Sequence, residues 1–274
     1  MTKPPDHWNK HAAQWSWIGS PLRPAVEDVR AAERALLVWE KSNAGRAPQA
    51  LLLDVTPELA LMHWPPGTRL IAVDHSRAMI RGVWRRANRD SSAICANWTA
   101  LPLPEASRDV IAGDGCFSAL SFPSEYRAMV RELRRVIRGD GILLMRFFTR
   151  PESPESVAAV VDDLVGGRTG NFHVFKWRLA MALHGALDEG VRLADIWDAW
   201  HEAVPQPEEL ASSLGWPLQS VLTIDAYRGI GIRYTFPTLE ESRAALAGAF
   251  AEVECLFPAY ELGERCPTLI FRPR

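Results

Sequence analysis

The chain has 274 residues, of which 47% are hydrophobic and 23% are charged, and its net charge is −2. This composition is typical of a globular protein with a large core, and it excludes an intrinsically disordered chain. No apolar run approaches the ~18 residues needed to span a bilayer, and the mixed charges offer no basic surface for nucleic acid. The four cysteines form no CxxC or Cys/His cluster, so we expect no metal site.

We expect a cytoplasmic protein with neither a membrane nor a nucleic-acid partner. The first residues lack the apolar core of a signal peptide, and the widely spaced cysteines suit a reducing compartment. The sequence does not indicate an oligomeric state.

The N-terminal segment, residues 1–24, is rich in tryptophan and is interrupted by Gly19, Pro21 and Pro24. It is too apolar to be a free tail, so we expect it to pack on the rest of the chain. Residues 25–42 then repeat apolar side chains at helical spacing with charged residues between them, which predicts an amphipathic helix.

The stretch from residue 50 to residue 79 predicts a strand, a short helix and a second strand. An apolar run ends at Asp54, and a second run ends at Asp74, twenty residues later. Between the two runs, Thr56 suits the cap of a helix, Pro57 its first position and Glu58 its positive end. An acid at the tip of the second strand is where a βαβ nucleotide site places its ribose-binding carboxylate.

The next elements continue the alternation of helix and strand. We predict a helix over 78–88, a third strand over 91–96 that ends at Asn97, and a fourth over 108–113 that ends at Asp114 and Gly115. An amphipathic helix over 123–137 and a fifth strand over 142–148 follow. Because ligands of open α/β sheets sit at the carboxyl ends of the strands, these polar residues should meet Asp54 and Asp74 at one edge.

Residues 151–230 depart from this pattern. Helical patterns occur at about 156–165, 172–187, 193–203 and 207–214, and we interpret them as an insertion after the fifth strand. His173 and Trp177 share a helix face there. The histidine is a candidate general base, and packing among aromatic side chains is the alternative.

The last part of the chain, residues 231–274, predicts the closing elements of the sheet. We expect a short lead-in strand over 233–236 and a helix that begins after Thr238, with Glu241 completing a capping box. Two further strands, over 252–257 and 268–271, would form a terminal hairpin.

Four ordered stretches resemble the signatures of class I S-adenosylmethionine-dependent methyltransferases. Residues 73–80 (VDHSRAMI) are similar to "VDxSxxMI", and 96–104 (ANWTALPLP) to "GDATALPLP". Residues 107–111 (SRDVI) are similar to "SFDVV", and 133–141 (LRRVIRGDG) to "LRRVLRPGG". Each stretch alone is weak, but the ordered set at family spacing is fairly specific.

The resemblance implies a doubly wound, Rossmann-like α/β fold with a seven-stranded mixed sheet. The core would comprise residues 1–150, with the N-terminal segment as a cap, and 231–274, with 151–230 as a helical substrate lid. The cofactor would be S-adenosylmethionine and the substrate a small molecule. The implied cofactor-binding residues are Asp54, Thr56, Pro57, Asp74, His75, Met79, Asn97, Trp98, Asp114 and Gly115, with Trp15 and Arg23 from the cap.

One departure from the family pattern concerns the Gly-rich loop after the first strand. Its three glycines would fall near Asp54, Thr56 and Glu58, where this chain has side chains that must contact the cofactor or crowd it. A capped helix start still offers free N–H groups to an anion. The alternative is a fold that persists with a degenerate cofactor pocket.

Three functions therefore compete. A small-molecule methyltransferase agrees with all four signatures. A non-catalytic binding or regulatory protein on the same fold agrees with the missing glycines. A nicotinamide oxidoreductase also uses βαβ units, but the missing GxGxxG motif and the methyltransferase signatures count against it.

Overall fold

The computed structural model describes residues 7–274, and a seven-stranded sheet forms its centre; the first six residues of the predicted cap lie outside the described part. The sheet has the order β3-β2-β1-β4-β5-β9-β8, with β1 to β5 parallel and β9 antiparallel to both neighbours. This confirms the predicted Rossmann-like mixed sheet. The strands are β1 (Gln49–Leu53), β2 (Arg69–Asp74), β3 (Ser92–Cys95), β4 (Arg108–Asp114), β5 (Ile137–Arg146), β6 (Val191–Arg192), β7 (Arg233–Tyr234), β8 (Phe250–Leu256) and β9 (Thr268–Pro273).

The strand order reverses between β1 and β4, which creates a crevice at their carboxyl ends. Residues 50–53 of β1 are completely buried, because helices cover both faces of the sheet. This explains the uninterrupted apolar run in the sequence.

Eleven α-helices lie within residues 7–274, and two of them are shorter than predicted. The helix expected over 78–88 ends at Gly82, beyond which the Arg86 and Asn88 side chains bind backbone carbonyls instead. The helix expected to reach residue 187 ends at Ala182. The helices are α1 (His7–Ala13), α2 (Val26–Ser42), α3 (Pro57–Ala60), α4 (Arg77–Gly82), α5 (Ser124–Val136), α6 (Val157–Val165), α7 (Phe172–Ala182), α8 (Leu193–Ala203), α9 (Pro207–Leu214), α10 (Leu218–Val221) and α11 (Leu239–Leu246).

The residues between β5 and β7 supply most of a third hydrophobic core, beside the cores on the two faces of the sheet, and Phe236, Leu262 and Cys266 also contribute to it. The predicted lead-in strand near residue 233 does not join the central sheet, because β7 pairs with β6 in a separate two-stranded sheet. The capping box of α11 forms as predicted: Thr238 Oγ1 accepts from Glu241 N, and Glu241 accepts from Thr238 N. None of the helices within residues 7–274 is long and apolar enough to cross a membrane.

A buried carboxylate at the start of β4 provides a test of the sheet. Asp109 is completely buried and accepts hydrogen bonds from Arg46, Arg138 and Gln49 N at 2.7–2.8 Å. We predict that Asp109→Asn lowers the free energy of unfolding by about 2 kcal/mol in urea denaturation, because the two arginines and the backbone N–H lose their charged acceptor. Asp140, which is 51% exposed and binds the same Arg46, is the control; Asp140→Asn should cost under ~0.5 kcal/mol. Equal losses would contradict the prediction.

Candidate active site

A cavity opens at the carboxyl ends of β1, β2 and β4, where the strand order reverses. The cavity has a volume of about 110 Å³ and is continuous with solvent. Strand ends form its floor, and the N-terminal segment and the later helical region form its roof. The lining residues are Trp8, His11, Trp15, Ile18, Leu22, Asp54, Val55, Thr56, Asp74, His75, Met79, Trp98, Asp114, Gly115, Cys116, Ser118, Ala119, Phe148, Trp177, Tyr227 and Tyr234.

Three carboxylates meet at the floor. Asp54 follows β1, Asp74 ends β2 and Asp114 ends β4, and all three side chains are buried. Burial and the nearby charges of Asp114 and Asp74 raise the pKa of Asp54 well above its usual value. Burial also raises the pKa of Asp114, although the Arg146 guanidinium opposes this shift. The floor therefore favours a cation over an anion.

The loop after β1 keeps a glycine-like backbone without glycine. Asp54 has φ = 120°, a region that favours glycine. Its carboxylate accepts from Thr56 N at 2.8 Å and from Asp114 N at 3.0 Å, so it fastens β1 to β4. These two bonds stabilise a conformation that would otherwise be strained.

The helix that follows this loop is a single turn. α3 has four residues, begins at Pro57 as predicted, and has Thr56 at its cap position. The Thr56 side chain makes no capping hydrogen bond, contrary to the prediction, and Thr56 N already donates to Asp54. So short a helix start is a weak anion site, and donors toward the cavity must come from elsewhere.

Arg146, at the end of β5, anchors the floor to the rest of the molecule. Its guanidinium is buried, donates to Asp114 Oδ1 at 2.6 Å and lies 3.6 Å from Asp28 Oδ2. It also donates to Tyr260 Oη at 2.8 Å and to the Pro21 carbonyl at 2.9 Å. The same side chain therefore fixes Asp114 and the N-terminal segment.

One end of the cavity is formed by His75, Met79 and Trp98. The Trp98 indole donates to the Val73 carbonyl at 2.6 Å, which fixes the ring at the end of β2. His75 lies edge-on between Trp98 and Trp8, with ring centroids 6.1 Å and 5.9 Å away. This end presents flat apolar surfaces beside Asp74.

The roof is aromatic with a few polar atoms. His11 of α1 packs edge-on against Tyr227, and burial, Lys176 and His7 lower the pKa of His11 well below its usual value. Tyr234 packs against Trp177 with ring centroids 5.9 Å apart. The roof thus brings together residues more than 200 positions apart in the chain.

Nine of the twelve expected cofactor residues line this cavity, and three do not. Pro57 begins α3 outside the lining. Asn97 is exposed, and its Oδ1 accepts from the backbone and hydroxyl of Thr99 in a local turn. Arg23 pairs with Glu58, donates to the carbonyls of Trp15 and Ile18, and stacks over Trp15. It holds the roof in place rather than facing the cavity.

His173, the candidate general base, also lies outside the lining. It is buried, and its Nε2 lies 2.9 Å from the Trp17 carbonyl. Burial and Lys176 lower the pKa of His173 to about 3. The structure places this ring between α7 and the N-terminal segment, where it fastens the roof.

The roof residues His11, Tyr227 and Tyr234 were not among the expected site residues. Tyr227 belongs to a polar-aromatic stretch of the sequence, residues 225–229. Local periodicity carries no signal for such a site, because the three residues come from separate segments that meet only in the folded chain.

Two cavity-lining tryptophans carry buried donors without acceptors. Trp15 Nε1 and Trp177 Nε1 have no hydrogen-bond partner within residues 7–274, nor does His11 Nε2. An unpaired buried polar group costs about 1–3 kcal/mol, so a ligand that supplies partners would bind favourably. Within the same residues, no group of three or more His, Cys, Asp or Glu side chains is arranged to hold a metal ion.

Comparisons with known proteins agree with this architecture. Residues 55–145 match a family model described as a methyltransferase domain. The CcbJ methyltransferase from Streptomyces caelestis superimposes with a TM-score of 0.57 at 13% identity, over 100% of this chain and 99% of that one. The PH0226 protein from Pyrococcus horikoshii OT3 gives 0.52 at 12% identity, over 95% and 99% of the two chains.

A protein from Rhodobacter sphaeroides, named in its structure as one of the Zn-dependent alcohol dehydrogenases, gives a TM-score of 0.56 at 14% identity, over 97% and 98% of the two chains. At these identities the structural likeness shows the fold alone. A comparison with curated protein sequences found no match. The match over residues 55–145 gives the chain a methyltransferase domain. This domain and the shared fold support the class I S-adenosylmethionine-dependent methyltransferase family, with S-adenosylmethionine as the cofactor.

The buried Arg146 network generates a prediction about stability. We expect Arg146→Met to lower the free energy of unfolding by about 3–5 kcal/mol, because Asp114 and Asp28 lose their buried partner. Thermal and urea denaturation measure the loss. Arg131→Met, an exposed position on α5, is the matched control and should change stability by less than ~0.5 kcal/mol. A loss below ~1 kcal/mol for Arg146→Met would contradict this account.

Proposed function

We propose that this protein transfers the methyl group of S-adenosylmethionine to a small molecule. The observation that carries the proposal is the cavity at the carboxyl ends of β1, β2 and β4, with a carboxylate floor and an aromatic roof, inside a methyltransferase domain. The roof supports a small substrate, because the N-terminal segment and the insertion cover the strand ends. The insertion, residues 151–230, then acts as a substrate lid.

The residues present fit the cofactor. Asp74 matches the family's ribose-binding carboxylate, the Trp98 indole offers a flat face for adenine, and Met79 offers an apolar side chain. The acidic floor attracts the sulfonium and ammonium charges. The buried N–H of Trp15 offers a donor to the cofactor's carboxylate, a role that the glycine-free loop no longer fills.

The chemistry places few demands on the protein. S-adenosylmethionine supplies an activated methyl group, and the protein positions the acceptor in line with it and excludes water. The aromatic lining supports both tasks, since it leaves few polar groups to hold solvent. A non-catalytic protein remains the competing proposal, because Asp54, Thr56 and Glu58 stand near the positions where the family has glycine.

Calorimetric titration with S-adenosylmethionine and S-adenosylhomocysteine tests the proposal. We expect micromolar dissociation constants, and about tenfold or greater weakening in Asp74→Asn, because a charged hydrogen-bond acceptor is lost. Asp90→Asn, at a position 52% exposed outside the cavity, is the control and should bind as the unmodified protein does. No binding of either ligand by folded protein would favour the non-catalytic alternative.

The raised pKa values on the floor predict a pH dependence of binding. A cation favours the ionised carboxylates, so binding of the sulfonium should release protons wherever Asp54 or Asp114 is protonated in the free protein. The affinity for S-adenosylmethionine relative to S-adenosylhomocysteine should therefore rise at least about threefold from pH 5 to pH 7, below the titration of either α-amino group. Asp54→Asn should flatten the rise. A ratio that does not change with pH would count against a cation at this floor.

A further inference from the structure

The roof of the cavity contains a buried hydrogen-bonded pair to which the proposed cofactor binding gives no role. Tyr234 of β7 lines the cavity, and its hydroxyl lies 3.1 Å from Nε2 of His7 in α1. Tyr234 is 5% exposed and His7 is 1% exposed. The two residues are 227 positions apart, so the fold itself brings them together. A buried tyrosine hydroxyl held by a histidine can accept a proton from a ligand while it donates its own.

The position of Tyr234 is fixed from several sides. Its backbone pairs with Val191 of β6, and the next residue, Thr235, donates its N–H to the Ser118 carbonyl at 2.9 Å. Ser118 itself lines the cavity. Gly190 has φ = 60°, and a Cβ at that position would lie 2.5 Å from the Tyr234 carbonyl oxygen, so only glycine permits this close approach. The hydroxyl is therefore held in place before any ligand binds.

The surroundings of Tyr234 favour a planar ligand. The rings of Trp177 and Tyr227 stand edge-on to Tyr234, with centroids 5.9 Å and 6.0 Å away. Phe148, which packs on Trp177, completes an aromatic surface. Aromatic rings bind other rings through stacked and edge-to-face contacts. Among the cavity-lining residues that the structure describes, the carboxylates all lie on the floor. This part of the site thus suits an uncharged aromatic molecule.

We infer that the methyl acceptor is a planar aromatic molecule whose O–H or N–H group is directed at Tyr234, and that the Tyr234–His7 pair takes its proton. The inference rests on the proposed function. The acceptor's lone pair forms the bond to the methyl carbon as the carbon–sulfur bond breaks, and that bonding pair goes to sulfur, which becomes neutral. The acceptor's proton moves to the Tyr234 oxygen, while the Tyr234 proton moves to Nε2 of His7.

The test begins with the class of acceptor. Tryptophan fluorescence and calorimetry would measure binding of 2-naphthol and 2-naphthylamine, within a panel of planar phenols and aromatic amines, to the S-adenosylhomocysteine complex. Decahydro-2-naphthol, with the same skeleton but no aromatic ring, is the matched probe. We expect the planar compounds to bind at least about tenfold more tightly. Equal binding of the saturated compound, or no binding by any panel member, would overturn the inference.

The second step tests the proton route with radiolabelled S-adenosylmethionine. For methylation of 2-naphthol, Tyr234→Phe should leave KM unchanged and lower kcat about 100-fold, because no hydroxyl remains to take the acceptor's proton. For a nitro-substituted naphthol that is already ionised at the assay pH, the loss should shrink to within about threefold, since no proton has to be removed. Equal losses for both acceptors, or no loss for either, would overturn the proton route.

Two controls separate this inference from folding and from the proposed function. Tyr126→Phe removes another buried tyrosine hydroxyl, outside the cavity lining, and should leave kcat unchanged. The titration with S-adenosylmethionine comes before any acceptor is added. If the protein does not bind S-adenosylmethionine, the proposed function and this inference are both overturned. If the cofactor binds normally but the acceptor panel or Tyr234→Phe gives one of the contradicting results, the inference alone is overturned.

Discussion

The buried guanidinium of Arg146 is the interaction on which the rest of the site depends. A charge inside a protein is costly unless it is paired and its donors are satisfied. Here two carboxylates, a phenol hydroxyl and a backbone carbonyl satisfy it, and they come from β4, α2, the C-terminal region and the N-terminal segment. The guanidinium that compensates the charge of Asp114 on the floor also donates a hydrogen bond to the Pro21 carbonyl in the N-terminal segment. One side chain therefore contacts both the floor and the N-terminal segment.

This connection explains how the chain manages without a glycine-rich loop. The backbone at Asp54 retains the conformation that glycine normally provides, and the carboxylate stabilises it by accepting two N–H groups. Those bonds occupy a donor that the loop would otherwise offer to a ligand. The N-terminal segment, which the Arg23–Glu58 pair holds, has an unpaired N–H on Trp15. In the proposed function, this N–H supplies a donor that the loop does not.

The sequence predicted the floor of the cavity better than its roof, for a physical reason. Short apolar runs that end in an acid predict buried strands, and the carboxyl ends of parallel strands lie at one edge of a sheet. The meeting of Asp54, Asp74 and Asp114 could therefore be predicted from the sequence. The roles expected for Arg23 and His173 remain predictions, but tertiary contacts with Glu58 and the Trp17 carbonyl occupy both side chains. The pairing of β7 with β6 has no local signal, and neither has the contact between His7 and Tyr234, because both depend on how distant segments pack.

The floor also resolves a conflict inherent in the proposed reaction. A sulfonium loses its charge as the methyl group leaves, so an enzyme that binds this cation too tightly in the ground state would raise its own barrier. A fully ionised triad of carboxylates would do so. Here Arg146 compensates Asp114, and burial favours the protonated form of Asp54. The floor can attract the cofactor although its three carboxylates do not carry their full negative charge. The aromatic roof adds affinity that does not diminish as the sulfonium loses its charge.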